Sequence, residues 1–138
     1  MHKLYKRGHE LTGVVIGASI EVHRLMGPGL LESIYSKCLC RELEIQGIRM
    51  EREVVIPIKY KGCVFDEPLR VDLLVDGCLL VELTVVDIVL PIHKAQLLSY
   101  MQLMDVPLGL LINFNTIVLK KGIQRLILRG AGMEDVNF

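Results

Sequence analysis

Residues Arg70 to Thr84 read RVDLLVDGCLLVELT, two apolar-rich runs on either side of Asp76-Gly77. β-Branched and aliphatic residues bounded by a turn pair of this kind predict a hairpin of two strands, Leu69–Val75 and Leu79–Thr84. Two carboxylates, Asp72 and Glu82, interrupt the strands. Side chains alternate faces along a strand, so Asp72 shares its face with Leu74, and Glu82 shares its face with Leu80 and Thr84. Loop length decides whether those faces coincide. A strict two-residue Asp76-Gly77 turn pairs Val75 with Cys78 and puts the acids on opposite faces. A three-residue loop, with Gly77 left-handed, shifts the register by one and gathers Asp72, Glu82 and Thr84 on one face. We expect the three-residue loop, because only that register makes the two acids useful together.

Two carboxylates converging beside apolar residues repel each other and lose hydration unless something positive lies between them. A divalent cation answers both problems, and oxygen ligands suit Mg²⁺ or Mn²⁺. The alternative is structural, with each acid capping an edge or pairing with Arg70 or Lys94.

The rest of the chain frames this hairpin. From Glu10 to Leu25, apolar residues at 11, 14, 15, 18, 22 and 25 mark one face of a helix. Gly27-Pro28-Gly29 ends it. A second helix is predicted over Leu30–Gln46, with Leu31, Tyr35, Cys38, Leu39 and Leu43 on one stripe and Gly47 as its cap. A strand over Glu53–Tyr60 follows, with a turn at Gly62. Pro91 opens a third helix running to Met104. The apolar run Pro107–Phe114 suits a strand covered on both faces, and a last strand falls in Ile123–Leu128. The order ααβββαββ predicts an α/β chain of the α+β kind, a small mixed sheet flanked by helices. Residues 1–138 are expected to form one domain, with 1–9 and 130–138 as peripheral tails.

The composition sets bounds on function. Sixteen basic and sixteen acidic residues cancel, so a strongly basic nucleic-acid binder is excluded, and any phosphate contact must come from a local patch or a metal ion. No apolar run is long enough to span a bilayer, and MHKLYKRGHE lacks the apolar core of a signal peptide. A cytoplasmic location without membrane association is the expectation. Cys38, Cys40, Cys63 and Cys78 form no CxxC pair and are read as small core residues in a reducing compartment.

Gly29-Leu30-Leu31-Glu32-Ser33-Ile34-Tyr35 reads G-x-x-E-x-x-Y. With the preceding IEVHRLMGP of residues 20–28, it resembles the GxxExxY family of the PD-(D/E)xK nuclease superfamily. The likeness continues in order through RVDLLV, VELT, PIHKAQLLSY (91–100) and GLLINF (109–114), covering about residues 10 to 128. It implies a restriction-endonuclease-like core with a Mg²⁺- or Mn²⁺-dependent phosphodiesterase site at one edge of the sheet. By that resemblance Asp72 is the superfamily's aspartate and Glu82 the acid of its (D/E)xK element. Glu32 is the acid of the helical motif, with Glu21 as second choice. Asp72, Glu82, the carbonyl of Leu83 and Glu32 would hold the metal. Gln96 and Tyr100 match a Q-x-x-x-Y helix and, four apart, share one helical face. The implied partner is nucleic acid, DNA ahead of RNA, with a homodimer or a partner subunit as further associations.

One position departs from the pattern. The (D/E)xK lysine should stand at 84, and the chain has Thr84, which has neither the charge nor the reach of lysine. Either Lys94 supplies the charge from the third helix, or the fold has lost efficient cleavage and serves as a binding or protein-interaction module. Around the site, Tyr35 is read as core and His23 as structural. Glu21 is read as a buried partner of His23 or Arg24, and Asp87 as loop polarity. His93 is read as either a substrate contact or a contact at the helix N-terminus. Gly27 and Gly29 are read as backbone devices.

Overall fold

A three-residue loop closes the central hairpin. In β4 (Arg70–Val75) and β5 (Leu79–Thr84), Leu73 stands opposite Val81, Leu74 opposite Leu80, and Val75 opposite Leu79. Asp76 and Gly77 adopt φ of 48° and 66°, and the amide of Cys78 donates to the carbonyl of Val75 at 2.9 Å. This left-handed pair turns the chain with the twist that antiparallel strands require. Asp76 is also clasped by Arg7 at 2.9 Å and Arg49 at 3.2 Å. One step further along the register, Asp72 faces Glu82.

The computed structural model describes residues 1–132. Of the tail expected at 130–138, the part from 133 onward lies outside the described residues. The hairpin forms the middle of a five-stranded sheet in the order β1-β4-β5-β6-β7, with β1 (Met50–Val55), β6 (Leu108–Asn113) and β7 (Ile123–Ile127). The β5–β6 pair is parallel and all other neighbours are antiparallel. A parallel pair needs a crossover, and α3 (Pro91–Met104) provides it. This mixed α+β architecture is the expected one and is consistent with a restriction-endonuclease-like fold.

Helices α1 (Tyr5–Met26) and α2 (Glu32–Ile45) cover one face, burying Leu11, Val15, Leu39 and Leu43 against Leu73, Val81 and Leu110. Helix α3 covers the other, with Leu97 and Met101 against Leu80 and Leu111. Strand β6 is buried along its whole length, as its unbroken apolar run requires. Gly109 lets α3 approach closely, since a Cβ there would lie 2.6 Å from Met101 Sδ and 3.2 Å from Leu97 Cδ2. Among the described residues no helix is long and apolar enough to cross a membrane.

Tyr35 is core, as expected. It is fully buried, and its ring stacks on Phe114 with centroids 4.3 Å apart. Its hydroxyl donates to the Gly27 carbonyl at 2.6 Å and accepts from the Leu30 amide at 3.0 Å, fastening the elbow between α1 and α2. Gly27 and Gly29, at φ of 74° and 86°, bend that elbow.

Three expectations need correction. Helix α1 begins at Tyr5 rather than Glu10, and its Gly8 is buried against Cys78 at the hairpin turn. The single strand expected over Glu53–Tyr60 does not form. Pro57 has no amide to give a ladder, so the chain leaves the sheet after Val55. Ile58–Tyr60 (β2) and Cys63–Phe65 (β3) form a separate two-stranded arm. Cys63 is therefore exposed, whereas Cys40 and Cys78 are buried, and all four thiols are free.

Candidate functional site

A cavity of about 180 Å³ opens where the carboxylate ends of the hairpin meet α2 and α3. It is lined by Glu32, Asp72, Glu82, Leu83, Thr84, His93, Gln96 and Leu111. The odd loop thus delivers Asp72, Glu82 and Thr84 to one place, and the first turn of α2 adds Glu32. A second cavity of about 170 Å³ adjoins it, lined by Glu32, Ser33, Ser36, Arg52, Glu53 and Asp72. Glu32 and Asp72 form the wall between the two.

The acids are held by backbone, not by cations. The amide of Leu83 donates to Asp72 Oδ2 at 2.7 Å, and the amide of Asp72 donates to Glu82 Oε1 at 2.8 Å. The side chains take the place of the next ladder bonds between β4 and β5. Neither acid forms an ion pair among the described residues, so the pairing with Arg70 or Lys94 weighed from sequence is absent. Arg70 instead donates to the carbonyl of Glu53 at 3.3 Å.

Burial therefore dominates the electrostatics. It pushes the Glu82 carboxyl up to about 8, with the nearby Asp72 charge adding to the rise and the Asp72 amide opposing it. The Asp72 carboxyl is also raised, first by burial and then by Glu32 and Glu53, against the Leu83 amide and the Arg52 charge. Displaced acids in a cleft are a recognised mark of a functional site.

Helix α3 presents one face to these acids. Gln96 lines the cavity, and Tyr100, one turn further on, is buried. The Tyr100 hydroxyl is raised by its burial and then by Glu82 and Asp72. Of the two roles considered for His93, the contact at the helix N-terminus is formed. His93 lines the cavity, and its Nδ1 accepts from the Leu90 amide at 2.8 Å. That bond leaves Nε2 as the nitrogen free to donate in the neutral ring. Lys94 is exposed and does not line the cavity, since one residue of helix turns it away from His93.

The other residues weighed from sequence lie outside the cavity. His23 Nε2 bonds the Thr116 carbonyl at 2.7 Å. Glu21 pairs with Arg24 at 2.5 Å at the surface rather than in the interior. Asp87 accepts from Asn115 Nδ2 at 3.3 Å. Asn113 was not singled out from sequence, yet it locks the loop between β5 and α3. Its Oδ1 accepts from the Val86 amide at 3.2 Å and its Nδ2 donates to the Val86 carbonyl at 2.9 Å. Glu53 and Arg52 were also missed. Glu53 falls between the paired positions Arg52–Leu73 and Val54–Val71, and so flanks Asp72 from β1.

Among the described residues no group of three or more His, Cys, Asp or Glu side chains is drawn together as a formed metal centre. The donor chemistry nevertheless fits a hard divalent cation. One oxygen each of Asp72 and Glu82 has no hydrogen bond among the described residues, Glu32 lines the same space, and the buried Ser36 hydroxyl of the adjoining cavity lacks a partner. Oxygen donors of this kind, crowded and short of positive charge, suit Mg²⁺ or Mn²⁺.

A family model described as the PD-(D/E)XK nuclease superfamily matches residues 9–126. No curated protein and no solved structure matches the chain.

Proposed function

The chain belongs to the PD-(D/E)XK nuclease superfamily, and from that premise we propose that it is a Mg²⁺- or Mn²⁺-dependent nuclease of the GxxExxY type, acting on phosphodiester bonds of nucleic acid, DNA ahead of RNA. The observation that carries this reading is the facing pair Asp72 and Glu82, both with raised proton affinity, in a cavity shared with His93 and Gln96. Asp72, Glu82, the Leu83 carbonyl and Glu32 would hold the ion. When bound, such an ion supplies Lewis acidity and lowers the pKa of a coordinated water. Gln96 and the His93 Nε2–H orient a phosphate oxygen or the attacking water by hydrogen bonds. Tyr100, one turn along α3 from Gln96, would complete the positioning pair. Thr84 offers a hydroxyl at the wall where the family pattern has an ammonium group, and Lys94 is the nearest cation on α3 to substitute for it.

A reading as one domain in the cytoplasm accords with the unbridged cysteines. The neutral chain would gain phosphate contacts by pairing with a second copy or a partner subunit. The second reading, a binding or protein-interaction module on a nuclease fold, draws its support from Thr84 and the zero net charge. Incubation of the pure protein with single- and double-stranded DNA and RNA, in Mg²⁺ or Mn²⁺, separates the two. Cleavage lost in Asp72→Ala supports the nuclease. No cleavage of any substrate by the wild type favours the module.

A further inference from the structure

The β2–β3 arm has no role in the reading above, and its composition is unusual for a solvated hairpin. It pairs with no other strand. An isolated two-stranded ribbon is marginal in water, yet this one exposes Tyr60 by 62%, Val64 by 71% and Phe65 by 46%. Tyr60 stands opposite Cys63, and Ile58 opposite Phe65, so Tyr60 and Phe65 share one face and Lys59 and Val64 share the other. At the tip, Lys61 and Gly62 adopt φ of 47° and 83°, and the Lys61 ammonium lies 5.3 Å from the centre of the Tyr60 ring.

Position and charge add to this. The chain leaves the sheet after Val55 and returns at Arg70, which stands opposite Val55. The arm therefore springs from the end of the sheet that carries Asp72, two residues from Arg70 on the same strand. Residues 58–65 contain Lys59 and Lys61 and no acid, in a chain with no net charge. Asp66 and Glu67 come only after the arm.

We infer that the β2–β3 arm binds a single strand of nucleic acid, with Tyr60 and Phe65 stacking on unpaired bases and Lys61 and Arg70 following the phosphates toward Asp72. Aromatic rings interleaved with cations recognise any base by its face and the backbone by its charge. A dry protein-docking patch would need a wider contiguous apolar area than these few side chains. The inference rests on the nuclease reading for its direction toward Asp72, while binding by the arm is measured apart from cleavage.

The test is fluorescence anisotropy of the full chain with a labelled oligothymidylate of about 20 nucleotides in EDTA. Tyr60→Ala/Phe65→Ala should weaken binding by about thirtyfold or more. Lys61→Gln/Arg70→Gln should reduce the slope of log affinity against log salt by about 1.4, from two lost phosphate contacts. All four side chains are solvent-facing, so circular dichroism should match the wild type. An aromatic variant that binds like the wild type overturns the inference, as does a wild type that binds no oligonucleotide. So does a variant that changes only self-association in sedimentation. Unchanged binding with unchanged cleavage sinks the arm and spares the nuclease. Arm-dependent binding without cleavage in Mn²⁺ sinks the nuclease and spares the arm.

Discussion

Asp72 gives its own amide hydrogen to the side chain of Glu82, at 2.8 Å, while its carboxylate takes the amide of Leu83 at 2.7 Å. Each acid is anchored by backbone and neither is neutralised. Two half-buried negative charges without a counter-ion make the folded state prefer protons.

The consequence for pH follows directly. Both acids have folded-state values raised above their ordinary ones, Glu82 to about 8. Between about 4.5 and 8 the folded state binds more protons than the unfolded, so stability falls as pH rises through that window and is greatest below it. In EDTA the melting temperature should decline from pH 5 to pH 9, a change on the order of a few kcal/mol. Glu82→Gln should flatten the profile. A rising profile in the same window would contradict the burial described.

A divalent ion should reverse that penalty. If it binds only the folded state, 10 mM Mn²⁺ against a millimolar-scale affinity adds about 1.4 kcal/mol, read as a higher melting temperature at pH 8. The shift should vanish in Asp72→Ala. A wild type that melts identically with and without Mn²⁺ would argue for a purely structural pair.

Thr84 and Lys94 separate a displaced cation from a lost one. Thr84 lines the cavity, so Thr84→Lys can place an ammonium group beside Glu82 and should raise Mn²⁺-dependent cleavage about a hundredfold if that charge is missing. If Lys94 already supplies it, Lys94→Ala should abolish native cleavage and Thr84→Lys should add little. Initial rates on one radiolabelled substrate decide between these outcomes.

The close seat of α3 on β6 predicts a packing effect. Gly109→Ala would drive a methyl group into Met101 and Leu97. Overpacking of that kind costs about 1–3 kcal/mol. Chemical denaturation should show a lower midpoint with an unchanged slope.

Much of this arrangement is legible in the residues. The alternation around Asp76-Gly77 implies the hairpin, and Pro91 marks the first residue of α3, because both signals are local. What escapes is non-local. Glu53 flanks Asp72 only through the pairing of β1 with β4, which no short-range pattern specifies. Asn113 meets Val86 across the crossover. The start of α1 is hidden because Lys6, Arg7 and His9 break the apolar stripe, and only burial of Gly8 against the turn reveals that the helix is needed there. Pro57 is a local sign of the arm, set among strand-like residues that hide it.

The Tyr35 hydroxyl carries a consequence for the order of assembly. Its two bonds, to Gly27 and Leu30, span eight and five residues, whereas β5 and β6 can pair only after the whole of α3 has been accommodated. Short loops close first and with less entropy lost. The α1–α2 hairpin should therefore be formed early, as the template on which the sheet condenses. Tyr35→Phe deletes only the hydroxyl and should slow refolding, with a φ-value well above that of Gly109→Ala, whose effect should fall on the unfolding rate.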